Sequence, residues 1–177
     1  MKIGFSGTGS TGKITLLREL QKDKRFKDYE FFDSITADAQ KQGHTINEKG
    51  TDETQLAIMN IHKNNLKEDN FVAGRTALDC WCYSIYLYNH DQISQTTLEY
   101  LGIMYQALIE QYDILFYVKP EFKAEGNGLR STNQSFINEV AAIFEEIIKR
   151  DNLPVVEIHG TVPERMKQIY EALNERS

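Results

Sequence analysis

Only two cysteines occur in 177 residues, Cys80 and Cys82, and the sole tryptophan stands between them. A disulfide across one residue is strained, and helix positions two apart point in different directions, so neither a crosslink nor a local zinc pair fits. The four histidines (His44, His62, His90, His159) are scattered and add no metal-ligand cluster. The cysteines therefore read as small packing residues of a reducing cytosol. No apolar run approaches membrane-span length, and an apolar strand begins at Lys2, which leaves no room for a leader peptide. A cytoplasmic protein without membrane contact is expected. Positive charge is also in deficit. Lys and Arg total 20 against 26 Asp and Glu, a net charge of −6. Grip on duplex DNA needs a basic face, so this balance disfavours a nucleic-acid partner and leaves small anionic ligands open.

What is present reads as one domain over residues 1–177, long enough for a genuine core and without repeat, linker or low-complexity tract. Short apolar strands are predicted at "KIGFS", "YEFFDS", "NFVAG", "DILFYV" and "PVVEIHG". Segments of helical spacing lie between and after them. These are Lys13 to Lys22, residues 51–66 opening on a capping pattern at Thr51, residues 76–89, about 96–111, 134–150 and 161–175. Strands that alternate with helices, never at hairpin distance, predict an α/β fold with a five-stranded parallel sheet covered on both faces. Ligands of such sheets bind beyond the carboxyl ends of the strands. That rule gathers the glycine loop, Asp33, residues 74–76 and the segment after Val118 around one crevice.

The stretch "GFSGTGSTGKIT" satisfies two phosphate-binding patterns at once. Gly7, Gly9 and Gly12 spell G-x-G-x-x-G, the dinucleotide fingerprint, and Asp33 stands about twenty residues on, where a ribose-binding acid is expected. Gly7, Gly12 and Lys13 spell G-x-x-x-x-G-K, the core of a triphosphate P-loop. Lys13 favours the second reading. A pyrophosphate needs only backbone amides and a helix N-terminus, whereas a triphosphate uses the lysine at its β- and γ-phosphates. One residue is out of place: Ile14 stands where the P-loop carries Ser or Thr for magnesium.

Taken with "GTDETQLAI", "GRTALDCWCYS" and "NGLRSTNQSF", the loop resembles the compact P-loop nucleoside and nucleotide kinases. It particularly resembles the AAA-type ATPase/kinase domains found in bacteriophages and nicotinamide riboside kinases, which implies a host cytoplasm if a phage encodes the chain. The resemblance spans the whole chain and implies a single-domain P-loop NTPase fold with a short lid at about 119–134. It implies ATP and Mg2+ as cofactors and a small nucleoside or nucleotide as acceptor, with a homodimer left open. A phosphoryl acceptor on DNA, such as a hydroxymethylated base, is a variant that the acidic charge disfavours.

By that resemblance Gly7, Thr8, Gly9, Ser10, Thr11, Gly12, Lys13, Ile14 and Thr15 would bind the nucleotide phosphates. Gly160 and Thr161 would lie against the adenine. Lys13, Arg75 and the lid arginine Arg130 would stabilise the transferring phosphoryl group. Asp33 would serve as general base or hydroxyl acceptor; a strand-end turn explains it equally well. Thr15 and Asp79 would hold magnesium, Asp79 through water, because Gly74 replaces the acid that usually precedes the arginine. Asp79 and Tyr83 would also line the acceptor side. Tyr83 and Tyr86 at helical spacing read more simply as core.

Overall fold

The computed structural model describes residues 1–121 and 131–176. Its five strands are β1 (Lys2–Ser6), β2 (Glu30–Phe32), β3 (Phe71–Ala73), β4 (Ile114–Val118) and β5 (Val155–Ile158). Seven α-helices accompany them: α1 (Lys13–Gln21), α2 (Ile35–Lys41), α3 (Asp52–Asn65), α4 (Ala77–Asn89), α5 (Gln95–Ile109), α6 (Ser131–Arg150) and α7 (Val162–Glu175). All pairings are parallel, in the order β2-β3-β1-β4-β5. The expected α/β sheet is present, and α6 begins three residues before the predicted Gln134.

Alternation along each strand divides the core between two faces. Leu115 and Tyr117 of β4 join Phe71, Ala73 and the apolar sides of α3–α6 in one cluster. Ile114, Phe116 and Val118 join Ile3, Phe5, Val72 and residues of α1 and α7 in the other. All five β4 residues are buried, which is why that strand reads as an unbroken apolar run. Cys80 and Cys82 are free and buried among these side chains, and burial pushes the Cys80 thiol up to about 12. They are packing residues.

Helix caps fix where the loops end. Thr51 accepts from the Thr54 amide at 3.3 Å, but no acid completes the box; the Thr54 hydroxyl turns to the Thr45 carbonyl instead. Full capping boxes stand at Thr76–Asp79 and Thr161–Glu164, both at the carboxyl edge of the sheet. No helix among the described residues is long and apolar enough to cross a membrane. The expected lid falls mostly outside the described residues, and Arg130 lies wholly outside them.

Candidate nucleotide site

Strand order separates the two readings of the glycine loop. In a dinucleotide-binding sheet β2 lies beside β1, which brings the acid after β2 to the loop. Here β3 intervenes, so β2 lies two strand spacings, about 10 Å, from β1. The glycines agree. Gly7 has φ +141, and a Cβ there would sit 2.5 Å from the Val118 carbonyl oxygen. Gly12 has φ +89, a left-handed turn that ends the loop and starts α1. The middle glycine is under no such demand, since a Cβ on Gly9 would meet only Arg75 Nη2, at 3.8 Å. The two glycines that the backbone requires are those of the P-loop pattern.

The loop is anchored from α4. Gly7 N donates to Asp79 Oδ1 at 3.1 Å and Gly9 N to the Tyr83 hydroxyl at 3.3 Å. Asp79 Oδ2 accepts from Thr76 N at 2.8 Å, and Ser6 Oγ and Thr76 Oγ1 lie 2.7 Å apart. The first half of the loop is thus satisfied by protein acceptors. Its second half runs into α1, whose N-terminus has no side-chain cap, leaving donors for an anion. Lys13 folds beneath the loop, donating to Gly7 O at 2.7 Å, to Thr8 O and to Thr11 Oγ1 at 3.1 Å. Burial, then the Arg75 charge, lowers its pKa to about 7 against the pull of Asp79.

A cleft of about 440 Å³ opens in front of these groups. Gly9 to Thr15 and Arg75 line one wall, and Phe32, Asp33 and α2 the other. Arg75 holds its guanidinium 5.3 Å from the Tyr83 ring centroid and 3.9 Å from Asp79. Tyr83 itself is core, packed on Phe136 and Phe144, and reaches the phosphate loop through its hydroxyl. Ile14 is 46% exposed and lines the cleft, so packing does not account for the missing hydroxyl. Thr15 is exposed beside it. A smaller cavity of about 30 Å³ shares Thr36 and Arg75 with the cleft and reaches Gln55 and His62. Burial holds His62 neutral, at about 3, and its Nε2 has no partner among the described residues.

Gly160 and Thr161 lie outside the cleft, at the turn from β5 into α7. There Thr161 serves as the α7 cap, while Arg165, a residue that motif reading passes over, joins the turn to the phosphate loop. One signal was available. A cation one turn into a helix opposes the helix dipole and calls for a dedicated acceptor.

Similarity to known proteins agrees with this geometry. Deoxyadenosine kinase from M. mycoides, solved with dCMP and dCDP, matches with a TM-score of 0.75 and 20% identity over 100% of both chains. NadR in complex with NAD and AMP-PNP matches with a TM-score of 0.70 and 14% identity, over 96% of this chain and 48% of that one. The YorR protein of Bacillus subtilis, in complex with phosphorylated GDP, gives 0.61 and 13% over 98% and 96%. No curated protein matches in sequence. The fold is that of the P-loop nucleoside and nucleotide kinases, and because the AAA domain family matches residues 2–165, the chain belongs to that family.

Proposed function

We propose that the protein is an ATP-dependent phosphotransferase acting on a nucleoside, a (deoxy)nucleoside monophosphate or a related small nucleotide. The observation that carries this reading is one cleft bounded by the phosphate loop, Lys13 and Arg75 on one side and Asp33 on the other. The loop amides and Lys13 receive the triphosphate, with its base toward Gly160 and Thr161. The acceptor enters on the α2 side, where Asp33 takes the hydroxyl proton as that oxygen bonds to the γ-phosphorus and ADP leaves. Arg75, with Arg130 from outside the described residues, stabilises the charge that spreads over the transferring phosphoryl oxygens.

Magnesium fits as an ion carried in by the nucleotide. Among the described residues no cluster of three His, Cys, Asp or Glu could hold it alone, and Asp79 already accepts from Gly7 and Thr76. The Thr15 hydroxyl, water and phosphate oxygens are the donors that remain, which suits an ion that keeps much of its hydration. Bound there, the ion would neutralise phosphate charge.

Incubation with ATP, magnesium and a panel of deoxynucleosides and their monophosphates should give ADP with one acceptor class. No turnover with any of them refutes the enzyme reading. Ile14 supports a second reading, a nucleotide sensor with impaired turnover. Ile14→Thr separates the two: a rise in turnover of about tenfold or more marks an impaired metal site, and no rise in an active enzyme shows that the metal is held otherwise.

A further inference from the structure

Arg165 is 8% exposed, and its guanidinium joins three parts of the chain. Nε donates to the Gly160 carbonyl at 2.8 Å, Nη1 donates to the Thr11 carbonyl at 2.6 Å, and Nη2 lies 3.6 Å from Glu121 Oε1. The same Glu121 carboxylate accepts from Gly160 N. Of these contacts the one to Thr11 has a consequence for chemistry. In a trans peptide the carbonyl and the following N–H point in opposite directions, and no peptide among the described residues is cis. A charged donor that holds the Thr11 oxygen on its own side therefore turns the Gly12 N–H the other way. Gly12 belongs to the cleft wall, in the half of the loop that no protein acceptor satisfies.

We propose that Arg165 is the positioning residue of the phosphate loop: by bridging the Thr11 and Gly160 carbonyls it sets the loop's second half for phosphate and ties that setting to the β5–α7 turn. The proposal rests on the nucleotide-binding reading above. Arg165 does not line the cleft. Its planar fork reaches two carbonyls at once, which a lysine ammonium at the same position cannot do with the same geometry.

The test measures binding of Mg-ATP and of Mg-tripolyphosphate, which has the phosphates without the base, to the full chain by calorimetry. Melting temperatures are recorded alongside. Arg165→Ala should weaken both ligands by about tenfold, the loss expected when a charge-assisted hydrogen bond no longer fixes a donor. Arg165→Lys keeps the charge and loses the span, and should recover less than half of that loss on a logarithmic scale. Full recovery in Arg165→Lys means that charge alone matters and overturns the proposal. So does a loss confined to ATP, which would limit Arg165 to the base-side turn. So does a lower melting temperature with tripolyphosphate affinity intact. If Arg165→Ala fails to fold, the Lys variant and Arg165→Gln, judged by tripolyphosphate affinity, decide on the same criteria. Wild-type protein that binds neither ligand refutes the nucleotide reading, and this inference with it; wild-type binding with unaffected variants refutes this inference alone.

Discussion

Titration with ATP at pH 8 should draw about 0.9 proton from solution per nucleotide bound, and the proton goes to Lys13. In the free protein, burial and then Arg75 hold the Lys13 pKa at about 7, so at pH 8 roughly nine-tenths of the molecules carry a neutral amine. Phosphate oxygens placed at that nitrogen favour the charged form and return it to the ordinary lysine range near 10. At pH 8 the nucleotide is itself almost fully deprotonated, phosphate having its second pKa at about 6, so it contributes little. The sign then follows. The bound state holds more protons than the free state between about pH 7 and 10, so affinity falls as pH rises, approaching tenfold per unit above pH 8. At pH 6 uptake should shrink to about 0.1 proton. Calorimetry in buffers of different ionisation enthalpy reads the number directly, and Lys13→Met should abolish it. ATP binding at pH 8 without proton uptake in the wild type would refute the reasoning and place a charged Lys13 in the free protein. The same depression acts on folding. From about pH 7 to 10.5 the unfolded chain binds more protons than the folded one, so the ligand-free protein should gain thermal stability as pH rises through that window.

Arg130→Ala should lower kcat by roughly a hundredfold or more while changing ATP affinity far less, because the role proposed for Arg130 is at the transition state and the loop with Lys13 remains. Steady-state kinetics beside equilibrium binding checks this; intact turnover would leave Arg75 as the catalytic cation. Gly7→Ala should cost more than about 2 kcal/mol and abolish nucleotide binding, since its Cβ would meet the Val118 oxygen and its φ is positive. Gly9→Ala should melt within a few degrees of wild type, and equal destabilisation of the two would undo the assignment of the loop.

Most elements were legible in the sequence because the strands are short apolar runs and the long helices carry their spacing; α2 (Ile35–Lys41) was not, since its seven residues bury only Ile35 and Ala39 and show no run of helical spacing. Strand order was not. No local pattern says that β3 inserts between β1 and β2, yet that insertion removes the dinucleotide reading of Asp33. Gly7, Gly12 and Lys13 were legible because a tight turn and a buried cation restrict residue type. The anchoring roles of Asp79 and the Tyr83 hydroxyl were not, since each acts across more than seventy residues. The T-x-x-D and T-x-x-E sequences at Thr76 and Thr161 are capping boxes that went unread, and Arg165 follows directly after the second.

The anchors of the phosphate loop also set when it can be completed. Gly7 and Gly9 are made before their acceptors on α4, which follow 72 and 74 positions later. Thr11 waits for Arg165, 154 positions on. Contacts this distant form only after the intervening chain has been closed into a loop, and parallel sheets concentrate them. A segment made before its partners is therefore finished only after them. Until α7 has been made, a ribosome-bound fragment can hold β1, β3 and β4 together and still present a phosphate loop without its final tether. The tethers of the phosphate loop are complete only once α7 has docked, which makes their closure a late step relative to the pairing of β1 with β3 and β4.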